Sequence, residues 1–209
     1  MSPVTIKTTD DGRSTRWENH RTERRLELAR AARKAVHQHG PEISMDEIAT
    51  YSGTSKSIVY RYFVDKPGLQ TAVGEAVVKQ IQEEIAAAAQ AATSPKDALW
   101  SMVEVYLSMI EHSPNVYYFV THNTTVPFLE SLADTVAKPF AQTMAASQID
   151  AAAWGTGAVG FIRSTSEWWL TNIDSPGMPT KEELTDRIAR WLWSGIRTAN
   201  VTNEPTVQS

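Results

Sequence analysis

The 209-residue sequence contains no cysteine. Disulfides, thiolate-held metals and cysteine nucleophiles are thereby excluded, and the usage fits a reducing compartment. No apolar run approaches the ~18 residues of a membrane span. The opening stretch "MSPVTIKTTDDGRSTRWENHR" lacks the hydrophobic segment of a secretory leader. Strict apolar/polar alternation never persists beyond a few positions, which argues against strands. There is no H-E-x-x-H, no G-x-S-x-G and no phosphate-cradling loop. The letters "GTGAVG" at 155–160 match G-x-G-x-x-G, but they follow helix-like "DAAAW" where a dinucleotide site needs a strand. The expectation is a soluble cytoplasmic protein without cofactor, metal, membrane contact or catalytic site.

What is present is helical patterning and an uneven charge. Residues 1–66 carry 12 Lys/Arg against 9 Asp/Glu, a balance of +3, whereas residues 67–209 carry 8 against 15, a balance of -7. Residues 13–34 alone hold 8 basic and 3 acidic side chains. A basic end on an acidic body suits a polyanion at that end, although a solvated helix face would look the same. Three- and four-residue spacing of apolar positions predicts a helix from about Arg21 to the Gly40-Pro41 break. Ser44 and Glu47 form a capping-box signature for a short second helix that Gly53 stops. A third helix begins near Ser55, Asp65 caps a long one, and Ser94-Pro95, Ser113-Pro114 and Thr180 with Glu183 open others. The last long helices cover about Asp150 to Asn172 and Thr180 to Asn200, separated by the loop "DSPGMP". The fold class is all-α, with about nine helices. The expected organisation is a flexible basic arm at 1–20, a head at 21–66, a body at 67–200 and a tail at 201–209.

The most informative stretch is "GTSKSIVYRYFVDKPGL", residues 53–69. A short helix, a tight turn and a second short helix make a helix-turn-helix, whose second helix enters the DNA major groove. At 100° per residue, Ile58, Val59 and Phe63 turn inward, with Tyr62 on the boundary. Lys56, Lys66 and the Tyr60 phenol are placed to meet phosphates. Ser57 and Arg61 are placed to meet base edges, where arginine pairs with guanine. Tyr60 and Tyr62 read alternatively as core aromatics.

At "AARKAVHQHG" and "SMDEIATYSGTSKSIVYRYFVDKPGL" the chain resembles the tetracycline-repressor (TetR) family of bacterial regulators, over about residues 21–75. The shared features are Gly53, Ser55, Lys56, Val59-Tyr60, Tyr62-Phe63 and Lys66. Thr54 replaces the more usual valine, and Tyr62 stands where histidine is frequent. The resemblance implies phosphate contacts by Ser44, Lys56, Tyr60, Tyr62 and Lys66, and base contacts around Thr54, Ser57 and Arg61. It also implies that Arg13, Arg16 and Arg21 serve an arm in the minor groove; the other reading is a tail with incidental charge.

The resemblance implies a body that binds a ligand and forms a homodimer on double-stranded operator DNA. Large apolar side chains between 96 and 169 suggest a cavity, with Trp100, Val103, Tyr106, Leu107, Tyr118, Phe119, His122, Phe128, Met144 and Phe161 as its candidates. Most such residues in any protein are plain core. Glu104, His122, Asn123 and Arg163 could orient a ligand. The lean surface of Ala151, Gly157 and Gly160, with Leu184, Ile188, Trp191, Leu192 and Gly195, is the expected dimer seam. "MIEHSPNVYYFVTHN" and the C-terminal region are similar to actinobacterial regulators that sense fatty acyl molecules, which implies a small apolar ligand. Two rivals stay open: a regulator governed by a protein partner, and an enzyme with an incidental helix-turn-helix.

Overall fold

The computed structural model describes residues 11–121, 132–134, 136–137 and 148–201. All regular structure among them is helical. The helices are α1 (Asp11–His39), α2 (Met45–Tyr51), α3 (Lys56–Phe63), α4 (Lys66–Ala91), α5 (Pro95–His112), α6 (Pro114–Thr121), α7 (Gln148–Asn172) and α8 (Lys181–Val201). Residues 132–134 and 136–137 are helical as well.

The local signals in the sequence act as expected. The Ser44 hydroxyl accepts the Glu47 amide at 3.3 Å, and the Ser44 amide donates to the Glu47 carboxylate at 2.8 Å, closing the capping box. Thr180 and Glu183 repeat it at the start of α8, at 3.2 Å in both directions. Asp65 accepts the Gly68 amide at 2.8 Å, with Pro67 in the first turn of α4. These contacts satisfy N–H groups that the first turn leaves without helical partners.

One boundary differs. Helix α1 starts at Asp11, ten residues before the expected start at Arg21, so residues 11–20 are helix and not a flexible arm. Residues Thr15 to Glu23 are exposed, so this extension carries no apolar stripe for periodicity to reveal. Extending an existing helix costs far less than nucleating one.

Two hydrophobic cores organise the helices. The first joins Leu28, Ala32 and Val36 of α1, Ile48 of α2, and Val59 and Phe63 of α3 to Leu69 and Val73 of α4 and Val116, Phe119 and Val120 of α6. The second gathers Ile81 and Ile85 of α4, the inner face of α5, Ile162 and Trp169 of α7, and Leu184 and Ile188 of α8. Helix α4 therefore runs through both, and α6 reaches into both through Phe119 and Tyr117. The Trp169 indole N–H donates to the Pro179 carbonyl at 2.9 Å, pinning the loop before α8. No helix among the described residues is long and apolar enough to cross a membrane.

Candidate functional site

Helices α2 and α3 meet at Gly53, whose φ of 61° suits glycine because no Cβ is present to clash. The turn leaves α3 with Val59 and Phe63 buried and Lys56, Ser57, Tyr60 and Arg61 exposed. This separation is what a helix needs to lie in a groove while held by its back. Cations and rings are paired on the exposed side. Lys56 Nζ lies 5.6 Å from the Tyr60 ring centroid, and the Arg61 guanidinium 5.5 Å from that of Tyr62. Tyr60 is a surface phenol, and Tyr62 is half-buried against the first core. Thr54 is half-buried in the turn. The Ser57 hydroxyl lies 2.9 Å from that of Ser55.

Lys56 also pairs with Asp46 of α2 at 2.8 Å, and this hydrogen bond raises the ammonium pKa. Ser44 is exposed but committed to its cap, donating to Glu47 at 2.6 Å. Lys66 stands apart from the other cations of the face. Its ammonium sits 5.9 Å from the Phe119 ring centroid and 3.7 Å from Glu42, in a groove between head and body. The helical extension brings α1 beside α3: Trp17, Glu18, His20 and Arg21 line one concavity with Arg61 and Tyr62. Arg16 and Arg21 are exposed on that extension. The side chain of Arg13 lies outside the described residues. Sequence reading did not single out Trp17; only its isolation among polar residues marked it.

The joint after α3 is strained. Val64 has φ 68° and ψ -55°, and the Asp65 amide bonds the Phe63 carbonyl at 2.7 Å. This is a γ-turn of the rare positive-φ kind, in a β-branched residue that disfavours it.

In the body, Tyr106 lines two apolar cavities. One is lined by Ile85, Met102, Leu132, Ile162 and Arg163 among others, and has a free volume of about 20 Å³. The other, about 30 Å³, lies among Arg33 of α1, Val77 and Ile81 of α4, and Val116 and Tyr117 of α6. Each has room for about one water, so any larger guest must widen them. Tyr117 donates to Glu167 Oε1 at 2.6 Å, and Arg163 Nε donates to the same oxygen at 3.1 Å. Burial raises the Tyr106 phenol to about 12 and pushes that of Tyr117 up further.

Among the described ligand candidates, Tyr106 lines both cavities and Arg163, expected to orient a ligand, lines the first. Val103 and Leu107 are buried in the body core, and Phe119 is buried in the head core. Trp100, Tyr118 and Phe161 are exposed. His122, Phe128 and Met144, like Asn123, lie outside the described residues. The candidate dimer seam also divides. Ala151, Leu184 and Ile188 are buried in this chain's own core, and Leu192 is half-buried against it. Gly157, Phe161 and Trp168 of α7 and Trp191 and Gly195 of α8 are exposed, while Gly160 is half-buried. Phe161 and Trp191 touch edge to face at 6.0 Å. Leu184 and Trp191, seven residues apart, point almost the same way, so the cover changes along α8 while its pattern does not.

The model of the family described as "Bacterial regulatory proteins, tetR family" matches residues 28–73, which hold α2, α3 and the parts of the first core that α1 and α4 supply. An uncharacterised HTH-type transcriptional regulator of Mycobacterium tuberculosis (strain ATCC 25618 / H37Rv) is 32% identical over 92% of this chain and 85% of its own length. The HTH-type transcriptional activator FasR of Mycolicibacterium smegmatis is 26% identical, over 84% of each chain. A tetR-family regulator from Streptomyces coelicolor shares the fold with a TM-score of 0.68 at 16% identity, covering 88% of this chain and 84% of that one. FadR from Bacillus subtilis, solved in complex with stearoyl-CoA, does so with a TM-score of 0.63 at 15% identity, covering 81% and 98%. With its helix-turn-helix, its all-α body and a relative of this identity along nearly its full length, the chain belongs to the tetR family of bacterial transcriptional regulators.

Proposed function

We propose that the protein is a one-component repressor, acting in the cytoplasm as a homodimer on operator DNA and released by a small apolar ligand of acyl type. The observation that carries the DNA part is the split of α3 into a buried back and an exposed face of Lys56, Ser57, Tyr60 and Arg61. In this reading Lys56 and Tyr60 grip phosphates, and Ser57 and Arg61 read base edges. Tyr62 orients Arg61, to which its ring is already close. Arg16 and Arg21 reach the backbone from the helical extension of α1. Two-fold symmetry supplies paired reading heads for paired half-sites, and the exposed strip of Phe161, Trp168 and Trp191 suits the mate.

The ligand part is supported by the apolar cavities on both sides of Tyr106. The stearoyl-CoA bound by the FadR of Bacillus subtilis gives it a chemical direction. A guest that widens the cavity beside Arg33, Val77 and Val116 displaces helices that also form the head core, and so favours one head separation over another. No metal-binding group of side chains exists among the described residues, and no step here requires one.

The test is footprinting of the DNA upstream of the gene, with and without lipid extract of the source cells. A protected two-fold site that opens with the extract is expected. Protection indifferent to every fraction would overturn the ligand part, and no protected site at all would overturn the whole.

A further inference from the structure

Residues 15–23 of α1 are all exposed and belong to neither hydrophobic core. They make roughly 13 Å of helix that buries no face of its own. A single exposed tryptophan is ordinary on a protein surface. Trp17 is 72% exposed, but it does not stand alone. With Glu18, His20 and Arg21 it lines a concavity that Arg61 and Tyr62 of α3 complete. The free volume there is about 680 Å³, against about 20 and 30 Å³ for the cavities of the body. Arg61 belongs both to this concavity and to the exposed face of α3, so the two surfaces are continuous. Two guanidinium groups and an imidazole face one carboxylate, that of Glu18, and the balance favours an anion. The indole adds an apolar plane with one N–H donor at its edge. Cations beside such a plane match a nucleic-acid strand, in which phosphates alternate with apolar sugar faces.

We propose that this concavity is a second DNA contact, which holds the sugar-phosphate strand flanking the bases read by α3. Trp17 lies against a deoxyribose and donates its indole N–H to a phosphate. This rests on the reading of α3 as the DNA-reading helix and goes further by naming a contact that α3 does not make. No amide side chain lines the concavity to read a base edge, so the contact positions the duplex and leaves sequence to α3. Arg21 holds the neighbouring phosphate. Arg61, kept beside the Tyr62 ring at 5.5 Å, stands at the border between strand and bases. Glu18 opposes the strand by charge. The extended α1 therefore braces the duplex from the side while α3 enters the groove.

The experiment uses full-length protein on the DNA upstream of the gene, with hydroxyl-radical footprinting of the sugars and anisotropy titrations at several salt concentrations. Wild type is expected to protect a short run of deoxyriboses in each half-site that Trp17→Ala leaves open. Trp17→Ala should weaken binding about tenfold. Its melting temperature should equal that of wild type, which shows that the fold survives. Trp17→Phe, which keeps a ring and loses the N–H, should restore the protected run and part of the affinity. Neither variant should change the slope of log affinity against log salt, whereas Arg21→Gln should reduce it by about one. Glu18→Gln should tighten binding severalfold at low salt. Identical sugar protection by wild type and Trp17→Ala overturns the proposal and leaves the reading of α3 intact. A salt slope that falls in Trp17→Ala also overturns it, because the indole would then serve only to orient a cation. If wild type protects no DNA at all, the reading of α3 fails and this inference fails with it.

Discussion

Lys56 shows how one residue can hold two partners in reserve. It is tied to Asp46 at 2.8 Å, yet both side chains are largely exposed, so the pair contributes little to stability. Asp46 lies in the first turn of α2, two residues after its N-cap Ser44. In the proposed complex DNA replaces this carboxylate partner of Lys56 with a phosphate. Asp46→Asn is expected to tighten binding to the gene's upstream duplex severalfold at low salt. Lys56→Ala should weaken it on every sequence and reduce the slope of log affinity against log salt by about one. Anisotropy titrations at several salt concentrations measure both.

The joint eight residues further on is governed by backbone. A Cβ on Gly68 would stand 2.0 Å from the Phe63 carbonyl oxygen, which belongs to main chain and cannot turn aside. Val64 beside it holds a positive φ at a cost of roughly 1–3 kcal/mol. Opposite outcomes are expected from two small substitutions. Gly68→Ala should lower the melting temperature markedly and impair DNA binding by shifting α3 against α4. Val64→Gly should leave the melting temperature equal or higher, since glycine accepts this φ without a clash. A drop for Val64→Gly as large as that for Gly68→Ala would show that the valine side chain, though 76% exposed, matters more than its backbone.

At the scale of elements, the caps link sequence to pH dependence. Hydrogen bonds from the Ser44 hydroxyl and amide hold the Glu47 carboxyl below its ordinary 4.5. A depressed folded value means that the contribution is complete above the ordinary value and is lost as pH falls through the folded one. Ser44→Ala should lower the melting temperature by about 2–4 °C at neutral pH. The gap to wild type should narrow as pH drops below 4, which calorimetry across that range would register.

These caps are legible because they are local codes: Ser44 with Glu47, Thr180 with Glu183 and Asp65 before Pro67 need no tertiary information. The inward side of α3 is legible for the same reason, since Val59 and Phe63 follow the helical period. The extension of α1 is not, because residues 15–20 are exposed and offer no buried apolar stripe. Nor can periodicity say which core an apolar face joins. Phe119 looked like a cavity residue and belongs to the head, and Leu184 and Ile188 looked like a dimer seam and belong to the body's interior. What remains open on α7 and α8 is a shorter strip with Trp168 at 51% and Trp191 at 55% exposure. Introducing Trp168→Glu and Trp191→Glu together should convert the proposed dimer to monomer in sedimentation without unfolding it. Operator affinity should fall at least tenfold, because each half-site would then be bound alone.

For the molecule as a whole, the boundary expected at residue 66 crosses a core. The head is closed on its inner side by Leu69, Ala72 and Val73 of α4 and by Val116, Phe119 and Val120 of α6. Polar contacts reinforce the junction: Ser113 Oγ lies 2.8 Å from His37 Nδ1, and the Asn115 amide donates to the His37 carbonyl at 3.1 Å. The two sides of these contacts are 76 and 78 residues apart, so no local pattern announces them. A fragment ending at residue 66 would expose Phe63 and Val36 where α4 and α6 now cover them. It is expected to lack cooperative unfolding by circular dichroism and to bind DNA only weakly. Within the full chain, Phe119→Ala tests the same coupling with the fold retained. Removing a fully buried phenylalanine costs roughly 3–5 kcal/mol. The change also deprives Lys66 of the ring it lies over. If head and body are one mechanical unit, operator affinity should fall although Phe119 is buried in the first core, and hydrogen exchange in α1 and α4 should rise together. Faster exchange confined to α6, with operator affinity unchanged, would mean that the head stands without the body's support.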